Sequence, residues 1–184
     1  MKIKAIAQIC ARTKFVTIYN DASGEQWLSD GGAAYPIYDL PELDERSVLA
    51  IFDVPADKWP DWQTLAAPLP TSLNFADNDD SEKQLTMPRI RSISKDGKIR
   101  GVALTSKGLR LYNLDYLKPL EDDFALYERE TADGEIYLAA KAGVFLKAVI
   151  MPLKINYTDF LSDLHQLTDA ASRAKEIQRR EGEP

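Results

Sequence analysis

Arg89-Ile90-Arg91-Ser92-Ile93-Ser94, then Lys95-Asp96-Gly97-Lys98, then Ile99-Arg100-Gly101-Val102-Ala103-Leu104 is the stretch whose reading decides the fold. Two alternating runs flank an Asp-Gly pair, which suits a type I′ turn because both central residues need positive φ. The pattern predicts a β-hairpin. A two-residue loop pairs Lys95 with Lys98, Ile93 with Arg100 and Arg91 with Val102. Period-two alternation then sets Arg89, Arg91, Lys95, Lys98 and Arg100 on one face. With Lys107 and Arg110 they face a single acid, Asp96, inside a chain of net charge −6. Such a stripe fits a polyanion held along one surface, and equally a solvated edge hairpin kept from aggregating by its charges.

Strand signals extend in both directions. Downstream, residues 109–112 read as a strand, 124–130 and 135–140 pair around Asp133-Gly134, and 144–151 ends at Pro152. Upstream, residues 15–19 and 26–29 form a hairpin around 20–24, Asp30-Gly31-Gly32 turns the chain, and 33–38 make a further short strand. Residues 2–12 carry both periodicities, but Lys4, Gln8 and Arg12 share one helical face and apolar Ile6 spoils the strand pattern, so a helix is expected. Pro41 opens a second helix, with Glu42, Asp44 and Glu45 in its first turn and Val48, Ile51 and Phe52 on its apolar face; Pro55 stops it. Thr158 caps a third helix over 159–180, expected to fray past Glu176. Its Phe160, Leu164, Leu167, Ala171 and Ala174 make a narrow seam suited to docking on the body or on a partner helix.

The fold class expected is α+β: two strand-rich halves with a helix each, clamp-like, plus the C-terminal helix. The halves are residues 1–62 and 85–156, joined by a structureless connector over 63–84 that holds Asp77-Asn78-Asp79-Asp80, with a helix and tail over 157–184. Composition is that of a globular chain, 45% hydrophobic and 28% charged. No apolar run reaches the roughly 18–20 residues of a membrane span, and no signal-peptide core is present. One cysteine excludes an internal disulfide framework, so a soluble cytoplasmic protein is expected.

Cys10 and His165 are each the sole residue of their type. Most hydrolytic, redox and transition-metal sites draw on those side chains, so a non-catalytic protein with no cofactor and no metal is expected. Cys10 falls on an apolar helical face and His165 beside the seam without a ligand-spaced partner. Asp30-Gly31-Gly32 lacks the spacing of a phosphate-binding loop and reads as a turn. Asp21, Asp30, Asp39, Asp44 and Asp53 sit in turns or first turns, where local hydrogen bonds account for them, and no spacing singles out a pair for a magnesium-dependent hydrolase. Trp59 and Trp62 either lid the core beside a chain bend or, with Phe160, Leu164 and Leu167, bind a partner.

Residues 3–12, FVTIYNDASGEQWLSDGGAAYPIY (15–38) and DERSVLAIFDVP (44–55) follow one another in an order that resembles the first half of a DNA sliding-clamp domain. FLKAVIMPLKI (145–155) is similar to the strand and Met-Pro that close bacterial clamp domains. The resemblance implies a DNA-associated accessory protein, as in a phage or mobile element. It would bind duplex DNA, recruit replication proteins and, having one domain where clamp chains repeat it, act as a homo-oligomer. Clamps contact DNA through basic residues on the helices lining the ring, which implicates Lys2, Lys4 and Arg12, a surface separate from the hairpin cations. The other reading is a protein–protein interaction module without nucleic acid.

Overall fold

The computed structural model describes residues 2–38, 40–86, 91–93, 99–121, 123–154 and 157–181. The fold is α+β. α1 (Ile3–Cys10) leads into β1 (Phe15–Asn20), β2 (Gln26–Ser29) and β3 (Ala33–Ile37), then α2 (Ser47–Ile51), a 3-10 helix (Ala56–Asp61), β4 (Gln63–Pro68) and β5 (Lys83–Gln84). β6 (Arg91–Ile93), β7 (Ile99–Thr105) and β8 (Gly108–Asn113) precede a second 3-10 helix (Leu114–Leu117). β9 (Ala125–Glu130), β10 (Ile136–Ala142), β11 (Phe145–Ile150) and α3 (Tyr157–Glu181) follow. The chain divides into two compact units, Met1–Leu153 and Lys154–Pro184. Among the described residues no helix is long and apolar enough to cross a membrane.

The two halves share one eight-stranded sheet, ordered β4-β1-β2-β3-β11-β10-β9-β5, antiparallel throughout except between β1 and β4. They join where Ala33 and Ala34 of β3 pair with Ile150 and Val149 of β11. Alternation along the strands sends Val16, Ile18, Leu28, Tyr35, Leu138 and Ile150 to one face, where Ile6, Ile9 and Cys10 of α1 meet them. Trp27, Ala34, Tyr137, Ala139 and Val149 go to the other, which Leu69, Leu73 and Phe75 cover. Burial within the first cluster pushes the Cys10 thiol up to about 12, with Asp30 adding to the shift, and Cys10 packs there as a small apolar side chain.

Turn chemistry sets these hairpins. The Asp21 carboxylate accepts from the backbone N–H of Ser23 and Glu25, both at 2.8 Å, and Gly24 supplies φ +89°. The Asp30 carboxylate accepts from the N–H of Gly32 and Ala33 and from the Tyr116 hydroxyl. Asp30-Gly31-Gly32 is thus a turn, as the sequence predicts, and through Tyr116 it also ties the second 3-10 helix to the sheet. In β11, Lys147 is the extra residue of a bulge, since Ala140 pairs with Ala148 and Lys141 with Leu146.

Four expectations are corrected. Residues 63–84 are not a structureless connector: β4 pairs in parallel with β1 at one sheet edge and β5 with β9 at the other. β4 carries no strand signal in its sequence because an edge strand with one neighbour stays largely exposed and needs no apolar alternation. The helix expected over 41–55 contracts to α2, because the Asp44 carboxylate accepts from the N–H of Arg46 and Ser47 at its front. Both α1 and α2 lie in the first half, and the described residues of the second half hold only a 3-10 helix. α3 begins at Tyr157, so Thr158 is within it and is not its cap.

The segment between β4 and β5 is fixed by polar contacts. Asp77 accepts from the N–H of Leu146 at 2.7 Å, and Asp79 from Ser81 and Asn74. Burial pushes the Asp79 carboxyl up, but these hydrogen bonds and the charge of Arg129 outweigh it and hold the group below its ordinary 3.8. Asp115 is likewise lowered, its burial outweighed by Lys118 and Arg12. A carboxylate whose folded pKa is depressed stabilises the fold above its unfolded value and loses that contribution as pH falls through the folded one. The unfolding free energy is therefore expected to be flat near neutrality and to fall below about pH 4. Urea titrations from pH 7 to pH 3 check this; a stability unchanged at pH 3 would contradict it.

Candidate functional site

α1 buries Ile6, Ile9 and Cys10 and turns Lys4, Gln8 and Ala11 outward, with Ala7 half-buried between. Opposite runs the segment that leaves α2. Its helix closes with Asp53 N–H donating to Ala50 O and Val54 N–H to Leu49 O, both at 3.0 Å. That closure requires a left-handed residue, usually glycine, and Asp53 fills it at φ +57°. Trp59 then donates its indole N–H to Val54 O at 2.9 Å, and the Trp62 ring packs on Phe52 with centroids 6.2 Å apart. Between α1 and this segment lies a groove of ≈490 Å³.

Its floor is apolar, formed by Ala7, Ala11, Ile51, Phe52, Val54 and Trp62, and Lys4, Lys14, Lys58, Asp53 and Asp61 stand on its rim. The Lys14 ammonium lies 3.0 Å from Asp61. Lys14 (φ +52°) and Asp53 are the two non-glycine residues with positive φ among the described residues, and both border this groove. Backbone strain of this kind gathers at functional sites more than elsewhere. Asp53→Gly is expected to raise the unfolding free energy by about 1 kcal/mol, the left-handed cost it relieves. Equilibrium urea unfolding measures it, and a destabilised variant would show that the carboxylate itself supports the fold.

A second concavity, of ≈590 Å³, lies between Trp27, Tyr38, Phe75 and Phe145, with Asp21, Glu25, Asp77 and Lys147 around it. Its polar groups are largely committed. Asp21 caps its own turn, Asp77 holds Leu146, and the Lys147 ammonium sits 5.2 Å from the Tyr38 ring centroid and 5.5 Å from that of Phe145. In the first groove Lys14 pairs with Asp61 and the Lys58 ammonium lies 3.7 Å from Asp57, all four on exposed side chains open to exchange with a partner.

The residues singled out from sequence distribute unevenly. Lys4 and Trp62 come together on the groove, and Trp59 braces its wall. Lys2 is exposed ahead of α1. Arg12 is drawn away into an ion pair with Asp115. Arg89, Lys95, Lys98 and the Arg91 side chain lie outside the described residues. The hairpin register corrects the single cationic face: Arg91 pairs with Gly101, Ser92 with Arg100 and Ile93 with Ile99. Positions 91 and 100 thus fall on opposite faces, because the register lies one residue away from the expected one. Arg100 is itself engaged within the fold. Leu164 and Leu167 are 39% and 68% exposed on α3, His165 is exposed beside them, and the Phe160 side chain lies outside the described residues.

Lys14 and Lys58 carry no signal in the sequence, and Asp53 reads there only as a carboxylate satisfied by local hydrogen bonds. The available signal was the missing glycine where a helix had to end before Val54-Pro55. Among the described residues no group of three or more His, Cys, Asp or Glu is placed to hold a metal ion. No protein-family model, curated protein or solved structure matches the chain. What the groove offers chemically is burial for one or two large apolar side chains beside ammonium groups that pair with carboxylates.

Proposed function

We propose that this chain is a non-catalytic protein-interaction module whose groove between α1 and residues 51–62 binds a short partner segment with large apolar anchors and acidic residues. The observation that carries the reading is the groove itself: an apolar floor ending on Trp62 and Phe52, under a rim of Lys4, Lys14 and Lys58. Helix-bordered grooves of this kind take apolar anchors for affinity and use rim charge for orientation and partner choice.

The test is a fluorescence-anisotropy titration with a labelled twelve-residue peptide of Glu, Leu and Phe. Trp62→Ala is expected to weaken binding about thirtyfold, the loss of a roughly 2 kcal/mol aromatic anchor. Lys4→Glu/Lys58→Glu, which leaves the floor intact, is expected to weaken it about tenfold, and less in high salt. Peptide binding that both variants retain would contradict the reading. A labelled DNA duplex in the same assay tests the clamp-like, DNA-associated alternative. That reading requires binding that falls steeply with salt and is lost on replacing Lys2, Lys4 and Arg12.

A further inference from the structure

We infer that two copies of this chain associate through α3, with the paired helices running antiparallel. α3 is 25 residues long, about 37 Å at 1.5 Å per residue. Leu161, Leu164 and Leu167 are 41%, 39% and 68% exposed on it. Three large apolar side chains within two turns are left to water in a helix whose opposite half carries many charges. Positions 164, 167, 171 and 174 recur at the 3-4-3 spacing of a coiled-coil seam, as Leu, Leu, Ala and Ala.

The helix is polarised in charge as well as in size. Residues 157–169 contain Asp159, Asp163 and Asp169 and no lysine or arginine. Residues 170–181 contain Arg173, Lys175, Arg179 and Arg180 against Glu176 and Glu181. A parallel pair would set acids beside acids and bases beside bases, with leucine against leucine and alanine against alanine. Full antiparallel overlap places position 164 opposite 174 and 167 opposite 171, a large residue on a small one in both layers. It also sets the acidic half of each helix against the basic half of the other and opposes the two helix dipoles. The occupant of this seam is therefore a second copy: the helix is its own complement under a two-fold axis, the symmetry of most homodimers. The inference stands apart from the groove, which involves no residue of α3.

Sedimentation velocity on the full chain, over a concentration series at low and high salt, gives the first readout. A monomer–dimer equilibrium that weakens with salt is expected, and Leu164→Asp/Leu167→Asp is expected to be monomeric. Far-UV circular dichroism and peptide binding at the groove should persist in that variant. A chain that stays monomeric at every concentration overturns the inference, as does a dimer that survives both substitutions. Orientation is read by bridging with a short bismaleimide. Leu164→Cys/Ala174→Cys is expected to give a covalent dimer while Leu164→Cys alone does not. Efficient bridging of Leu164→Cys to itself would mean parallel helices and overturn the antiparallel arrangement.

Discussion

Arg129→Met is expected to lower the unfolding free energy by about 3–5 kcal/mol, the usual result of removing one partner from a buried charge pair. Arg129 is fully buried, and the hydrogen bonds of its guanidinium go to the segment between β4 and β5. Nε donates to Glu82 at 2.8 Å, Nη1 to the carbonyls of Asn74 and Ala76 at 3.1 and 2.8 Å, and Nη2 to that of Asp77 at 3.0 Å. Lys141 Nζ reaches the other Glu82 oxygen at 2.6 Å. Methionine fills the volume but withdraws the donor from three carbonyls, of which that of Asn74 keeps the Tyr137 hydroxyl at 3.4 Å, and it leaves the Glu82 carboxylate to Lys141. The segment must then lift, uncovering Trp27 and Tyr137. Lys107→Met is the control: its bridge to Glu130 is equally short, but the two side chains are 42% and 40% exposed, so less than about 1 kcal/mol is expected. Urea unfolding of both variants decides the matter. A loss under about 1 kcal/mol for Arg129→Met would mean that Leu73 and Phe75 hold the segment without it.

Gly101→Val is expected to cost about 2–3 kcal/mol by overpacking. Gly101 pairs across β7 and β8 with Tyr112, whose ring lies over the bare glycine. A Cβ there would fall inside contact distance of Tyr112 Cζ, Cε1 and hydroxyl, and Tyr112 is only 3% exposed, so the ring has little room to swing away. An aromatic ring covering a strand glycine also replaces side-chain packing that the glycine lacks. Tyr112→Ala in the same background should relieve the clash, giving a double variant more stable than the sum of the two single changes predicts. Additive losses would show that the two positions do not interact.

What the sequence made legible is what local chemistry determines. The hairpin around 20–24 follows from Asp21 and Gly24, the turn at 30–32 from Asp30, and α1 from the outward face of Lys4 and Gln8. What it hid depends on residues far apart in the chain. Arg129 and Glu82 lie 47 positions apart, and neither shows a local pattern marking it as an anchor. β4 carries no apolar alternation because only β1 supports it. The register of β6 on β7 lies one residue away from the one that Asp96-Gly97 predicts, because strand pairing and not local turn chemistry alone decides it. Part of the candidate site carries a sequence signal: Trp62 stands out by type and spacing and Lys4 through the clamp resemblance, whereas Lys14 and Asp53 matter through backbone conformation.

The most direct test is shift mapping by two-dimensional NMR of the full chain, titrated with the same acidic Leu/Phe peptide. The largest changes are expected at the amides of Ala7, Ala11, Phe52 and Asp53 and at the Trp62 indole N–H. Changes gathered instead around Tyr38 and Phe145, or none at any peptide concentration, would contradict the groove as the binding site.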